Sequence, residues 1–368
     1  MVIRLLLILI PILIGIIPYW TGIKVEQEFT KTTKKLYQSN GLKVLQTDYQ
    51  RGWFNSYASS VVQTNTQNFD VDHKINHGLM PLIKTSIHTI VQIDDKILLD
   101  VLTKIKINGD NTSVLNTPTS QIKNYKWQNL QGHISANRQL TDIKTTLNSS
   151  LLSNGHIKAQ NISLQLNIND GIGSGDLKIA NMTGAGLQLE TIKLDGQGQI
   201  QADNLMLAIK TKIEKVGNYG SSNGYIELTN WHLPSLLQMV STYGKEITLN
   251  RMIQGMELLE HSPKLSITNF ELDTLEGLIH GDLQIKMQPL ENPLSVLFNP
   301  NPLLKLFNVQ LAAYIPKPFL STSTQLKAWV KKGILVENNT NYYQTQIVLD
   351  NGLLQVNGKQ SALSAILQ

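Results

Sequence analysis

Apolar and polar residues alternate with a period of two over most of this chain. The stretch "NISLQLNIND" puts Ile162, Leu164, Leu166 and Ile168 on one side of an extended segment, with Ser163, Gln165 and Asn167 on the other. "NLMLAIKTKI" repeats the pattern with Leu205, Leu207, Ile209 and Ile213, and "GDLQIKM" with Leu283, Ile285 and Met287. Successive strand side chains point to opposite faces, so this spacing predicts half-buried strands of an antiparallel sheet with one wet face. Turn signals separate the strands: Asn108-Gly109-Asp110, Gly171-Ile172-Gly173-Ser174-Gly175, Asp195-Gly196 and Asp350-Asn351-Gly352. The fold class expected is mainly β (α+β): an N-terminal transmembrane helix, then an extended antiparallel β-sheet ectodomain with a few packing helices. Rows such as Ile162–Ile168 and Leu205–Ile209 are expected to lie in a closed two-layer core. The alternative is an open trough.

The period changes to that of a helix in a few places. "VEQEFTKTTKKLYQS" brings Val25, Phe29 and Leu36 near one face, allows Glu28 to pair with Lys31, and ends at Gly41. "LPSLLQMVSTYG" from Leu233 and "NRMIQGMELLEH" from Asn250 also have helical spacing. So does "STSTQLKAWVKKG", with Ser321 or Thr322 as N-cap, Leu326 and Trp329 or Val330 inward, and Gly333 as the stop. The prolines at 289, 293, 300 and 302 mark a loop. A composition shift near Gly220 separates a strand-rich half from a more helical one. The expected divisions are 1–20 (anchor), 21–40 (helical stalk), 41–220 and 221–368.

The start of the chain bears on location. "MVIRLLLILIPILIGIIPYW" has one cation, Arg4, then an uncharged, mostly apolar run from Leu5 to Trp20. It lacks the small residues that a signal peptidase needs before its cut, and it reaches the length of a short membrane span. It therefore reads as an uncleaved signal anchor, with Tyr19 and Trp20 in the interfacial aromatic belt. Arg4 holds the N-terminus in the cytoplasm and the bulk of the chain lies in the periplasm. The net charge of +5 is mild and the lysines are dispersed. A nucleic-acid protein concentrates such charge in a stripe, so no nucleic-acid partner is expected. The absence of cysteine excludes disulfides, thiolate metal sites and a cysteine nucleophile.

The candidate signatures of chemistry are weak. "GIGSGD" lies between strand patterns without the following helix that a phosphate cradle requires, so a hairpin turn is favoured. "GLLQVNGK" at 352–359 has one residue too many for a phosphate loop. His73 and His77, beside Asp72, would face one way on a strand, but no third ligand is evident. Asp94, Asp95, Asp273, Glu276 and Asp282 show no spacing that specifies an acid–base pair. No cofactor and no metal are expected.

One block stands out. "DYQRGWFNSYASS" places four aromatics between Tyr49 and Tyr57 in a chain with only 6% aromatic residues. Glycine in a strand marks a bulge or close backbone approach. Trp53 and Phe54 would then point to opposite faces, one into the core and one under the helix from Val25, with Arg51 stacking on an aromatic or holding a carboxylate. Tyr49, Arg51, Gly52, Trp53, Phe54 and Ser56 form the candidate structural or binding block. His77 and Gly78, in "INHGLMPL", are weaker candidates.

The order of "YQRGWFNSYASS", "INHGLMPL", "PKLSITNFELDT" and the closing "GILVENNTNYYQTQIVLDNGLLQVNGK" resembles the YdgA-like family of bacterial envelope proteins. That family carries a Y-x-R-G-W-F-x-S block, an H-G-P motif and a closing N-G segment; here Leu79 stands where its proline usually follows His-Gly. The resemblance implies an inner-membrane anchor with a periplasmic body and no known catalytic residues. Three classes of function remain: a non-enzymatic envelope protein that binds or scaffolds, a β-rich lipid-binding or transfer protein of the AsmA kind, and a periplasmic hydrolase. Expected partners are the inner membrane through the N-terminal helix, an envelope lipid or another envelope protein, and a second copy of the chain.

Overall fold

The computed structural model describes residues 23, 26–27, 30–31, 43–63, 68–77, 85–106, 108–122, 124–236, 258–289 and 305–361. Among these, no helix is long and apolar enough to cross a membrane. The expected anchor at 1–20 lies outside them, as do residues 250–257 of the helix expected from Asn250, whose residues 258–260 are helical. Ile23, Glu26, Gln27, Thr30 and Lys31 are all helical; the rest of the expected stalk lies outside the described residues.

The chain divides into two compact units, Met1–Asp170 and Gly171–Gln368. The composition shift near Gly220 falls inside the second. Unit 1 holds β1 (Lys43–Arg51), β2 (Asn55–Gln63), β3 (Asn68–Asn76), β4 (Thr85–Ile93), β5 (Lys96–Ile105), β6 (Asn111–Thr117), β7 (Ser120–Ile122), β8 (Tyr125–Gln128), β9 (Leu130–Ala136), β10 (Asp142–Ser153) and β11 (Ile157–Asn169). They form an antiparallel meander from β1 to β6, continued by β9, β10 and β11. The short β7–β8 hairpin is set against the far end of β10.

Unit 2 is likewise antiparallel. It holds β12 (Ile172–Gly184), β13 (Leu187–Gln201), β14 (Asn204–Val216), β15 (Ser222–His232), β16 (Lys264–Thr274), β17 (Gly277–Met287), β18 (Phe307–Pro316), β19 (Val336–Glu337), β20 (Tyr342–Asp350), β21 (Leu353–Val356) and β22 (Lys359–Ser361). Neighbours in sequence pair from β12 to β18; β18 then pairs β20, which carries β19 and β21. Mainly β, antiparallel architecture with few helices is thus what the alternation specified.

Several turns differ from expectation. Asp195-Gly196 lies inside β13, opposite Asp176-Gly175, and not at a turn. The actual reversals around β13 are Ala185-Gly186 and Ala202-Asp203, both with two consecutive positive φ angles. That geometry matches the twist of the flanking strands, so register outweighs the Asp-Gly preference here. Gly173 and Gly175 also belong to a strand, since β12 starts at Ile172. Asn351-Gly352 is a turn as expected.

Register in unit 2 lines up aliphatic residues across seven strands. One row runs Ile209, Ile226, Ile267, Leu283, Leu311, Ile347, Val356. The row beside it runs Leu207, Leu228, Leu265, Ile285, Val309, Leu349, Leu354. With strands spaced by about 4.8 Å, this stripe is about 29 Å long. The opposite face carries Lys193, Lys210, Lys212, Glu227, Gln284 and Gln310.

Among the described residues, one end of the stripe is sealed. There Ile334, Leu349, Leu354 and Val356 are buried together, with Trp329 packed against them. Trp329 comes from α1 (Thr324–Lys331), whose N-cap is Ser323, accepting from the Leu326 amide at 3.4 Å. Ser321 does not cap, because it belongs to a preceding 3-10 turn and donates to the Pro318 carbonyl at 2.8 Å. The chain leaves the helix at Gly333, with φ of 71°. Elsewhere the stripe is half-buried, from Ile209 through Leu311. In unit 1, Ile162, Leu164, Leu166 and Ile168 are half-buried as well. The closed two-layer core expected around both rows is therefore not what the described residues form. The rows lie in separate units and the described residues leave both half-buried; residues 237–244 of the helix expected to cover them lie outside those described.

Candidate functional site

Strand β1 ends at Arg51 and β2 starts at Asn55, which leaves a three-residue loop, Gly52-Trp53-Phe54. The loop requires glycine first: a Cβ at position 52 would run into the Asn55 carbonyl oxygen. Because β1 stops before it, strand alternation does not reach Trp53 and Phe54. Both lie at the tip, 56% and 49% exposed, so neither ring is buried in the core. The expected burial of these rings is corrected by that early strand end.

The rest of the block turns inward. Arg51 Nη1 meets Glu26 Oε2 at 3.1 Å, so it holds a carboxylate, and that carboxylate belongs to the N-terminal helical segment. Ser56 is fully buried, and its Oγ lies 2.6 Å from Nε2 of His77. The His77 amide donates to the Phe54 carbonyl at 2.7 Å. Tyr49, two residues before Arg51, brings its hydroxyl to Ser56; burial foremost raises its pKa above the usual phenol value. Burial also lowers the His77 pKa, so its imidazole is neutral near pH 7. The corner thus collects Tyr49, Arg51, Gly52, Trp53, Phe54, Ser56 and His77. Gly78 lies outside the described residues.

A serine 2.6 Å from a histidine has the spacing of a nucleophile and its base. Here Ser56 and His77 are 0% and 4% exposed, and His77 Nδ1 has no hydrogen-bond partner. Among the described residues no carboxylate orients the ring, and the hydroxyl is buried. The pair acts as a latch: it ties the end of β3 to the start of β2 and holds the loop through the Phe54 carbonyl. His73, four residues earlier, is engaged separately, with Nδ1 2.9 Å from Thr89 Oγ1. Among the described residues no three His, Asp or Glu side chains could hold a metal ion.

The outer face of the same strands forms an open groove of about 410 Å³ lined by Asp48, Tyr57, Asp72, Lys74 and His88 among others. His88 Nε2 lies 2.7 Å from Asp100 Oδ1 on the next strand. Sequence reasoning missed this pairing, since the two residues are twelve apart and share a face only through the β4–β5 register. It also missed what Asn357 does in the closing N-G segment. Asn357 Nδ2 donates to the carbonyls of Gly333 and Ile334 at 3.0 and 2.9 Å, and Oδ1 accepts from the Gln346 amide at 2.8 Å. One side chain therefore clamps the exit of α1 to β20.

The molecule so described is an antiparallel β protein of two units with a latched hairpin corner. A family model described as bacterial protein of unknown function (DUF945) matches residues 2–364, and the chain belongs to that family. No curated protein and no solved structure matches the chain.

Proposed function

We propose that this chain is a non-enzymatic, YdgA-like binding protein of the bacterial envelope. Residues 1–20 anchor it in the inner membrane, the bulk lies in the periplasm, and the aliphatic face of unit 2 is the binding surface. The observation that carries this reading is the double row across seven strands, apolar at every position and half-buried over most of its length. A continuous apolar surface of this kind marks a site of interaction.

The composition of the two rows favours an acyl chain as the ligand, which is the lipid-binding alternative. Centres of protein interfaces are rich in Tyr, Trp and Arg. These rows contain only Ile, Leu and Val, and each methylene removed from water there contributes about 0.8 kcal/mol. The test is native mass spectrometry of the full chain, taken from bacterial membranes in a mild detergent. A bound lipid-sized adduct, lost in variants of the stripe, supports the reading. A chain found in the soluble fraction without any adduct contradicts it.

A further inference from the structure

We infer that the cleft between β19 and the β21–β22 hairpin, at one edge of unit 2, binds a phosphate ester of a polyol or sugar. This site goes beyond the apolar surface proposed above and stands whether or not the stripe takes an acyl chain. Three observations carry it.

The first is a preformed cleft. Two strands share one edge of β20: β19 pairs it at Tyr343 and Gln344, and β21 pairs it from Ile347 to Asp350. Thr345 and Gln346 fall between the two ladders, and the sheet opens there into a cleft of about 750 Å³. Small-molecule sites span about 300–1,000 Å³. The walls are held in place by Asn357. Its side chain joins the Gly333 and Ile334 carbonyls to the Gln346 amide, and its own amide donates to the Gln346 carbonyl at 2.7 Å. Ile334 and Val356, both buried, form an apolar floor with Val336.

The second is a set of polar side chains without partners. Lys332, Gln344, Gln346, Lys359, Gln360 and Ser361 line the cleft. Their side chains make no hydrogen bond or ion pair within the chain. Elsewhere in unit 2, Lys178, Lys193, Lys215 and Lys317 each meet a carboxylate at 3.4 Å or less. Lys332 and Lys359 meet none, and no Asp or Glu is among the described residues that line the cleft.

The third is the chemistry these groups share. A lysine ammonium is a point charge with three donors, suited to phosphate oxygens; the planar carboxylate is better matched by arginine, which the described lining lacks. A primary amide carries a donor and an acceptor side by side, as a hydroxyl group does, so the three glutamines suit a hydroxylated frame. The apolar floor takes the carbons of that frame. No aromatic ring is among the described lining residues, so a nucleobase has nothing there to stack on. A phosphate on glycerol or on a sugar meets all of these groups at once. It reaches the cleft either as a free ester or as the head of a lipid.

The test is calorimetric titration of the full chain in an uncharged polyoxyethylene detergent. The probes are glycerol 3-phosphate, glucose 6-phosphate and dihexanoyl phosphatidylglycerol below its critical concentration. Saturable binding of at least one is expected. Lys332→Gln with Lys359→Gln should weaken it by about tenfold or more. Lys327→Gln with Lys331→Gln removes the same charge from exposed positions on α1 and should weaken it less than about twofold. Gln344→Leu leaves the charge alone and should still weaken binding about threefold or more. All variants are checked for folding by circular dichroism. Soluble esters bound as tightly as the lipid identify a free ester; a lipid bound about tenfold tighter identifies a headgroup. Equal losses for the two lysine pairs, or an unchanged Gln344→Leu, would reveal diffuse charge attraction and overturn the inference. So would a wild-type chain that binds none of the three probes. Neither result touches the acyl reading of the stripe, which is tested with an uncharged-end competitor of its own: the bound lipid adduct.

Discussion

The inner face of unit 1 and the apolar face of unit 2 are built on the same alternation yet differ in what they offer. One row of unit 1 runs Ser56, Ile75, Ile87, Thr103, Ser113, Ile134, Thr145, Leu166. Hydroxyls interrupt it, and three of the four are engaged: Thr103 with Ser113 at 2.8 Å and Ser56 with His77 at 2.6 Å; Thr89 of the neighbouring row meets His73 at 2.9 Å. The row from Ile209 to Val356 in unit 2 has no polar member. Cross-strand polar pairs specify partners and register but make a poor floor for an apolar ligand. An uninterrupted aliphatic stripe specifies little about register and must instead be covered. Under the proposed function, latching and positioning fall to unit 1 and ligand contact to unit 2.

The largest effect that sharpens this contrast is expected at the sealed end of the stripe. Leu349→Ala removes a buried side chain between Ile334, Leu354 and Val356 and should cost about 2–5 kcal/mol in denaturant unfolding. The same truncation at half-buried Ile267 should cost clearly less. Equal losses would mean that the middle of the stripe is as sealed as its end.

In unit 1 the latch comes next. Ser56→Ala strands the buried Nε2 of His77 and should destabilise by about 1–3 kcal/mol, read by hydrogen exchange at β2 and β3 amides. A change in β20 protection instead would contradict the division of roles.

Acidification should separate the units too. Burial pushes the His73 and His77 pKa values below their ordinary 6.5. The unfolded chain then binds protons more readily than the folded one, so stability rises with pH in that range. The contribution is complete above about pH 6.5 and is lost as the pH falls through the lowered folded values. Exchange protection in β2 and β3 should drop between pH 7 and 5, and His77→Gln should flatten that dependence. Loss confined to unit 2 over the same range would break the assignment.

The smallest effect is expected at the tip. Trp53→Ala should change stability by less than about 0.5 kcal/mol, because the ring is mostly in solvent. A melting temperature that falls by several degrees would return the ring to a structural role.

These regions were unequally legible in the sequence. Alternation along single strands showed which residues share a face, and the rows Ile162–Ile168 and Leu205–Ile213 are indeed strand faces. It could not show which rows continue across the sheet, since that depends on turns, and Asp195-Gly196 misled there. The corner was visible as a cluster of unusual residue types. Its inner logic was not. Ser56 and His77 are 21 residues apart and meet only because β2 and β3 pair, and Arg51 finds Glu26 across 25. Strand periodicity, extended past Arg51, gave Trp53 and Phe54 the wrong surroundings, because a three-residue loop has no period.

The central claim is that the stripe of unit 2, and not the inner face of unit 1, takes an apolar ligand. The most direct measurement titrates the full chain, in detergent below its critical concentration, with a fluorescent polyene fatty acid. Ile267→Gln with Leu283→Gln interrupts the stripe; Ile87→Gln with Ile134→Gln is the matched change in unit 1. With both variants folded by circular dichroism, the account predicts at least about a tenfold loss of affinity for the first and less than about twofold for the second. Equal losses in the two, or a wild-type chain that does not bind the probe, would contradict it.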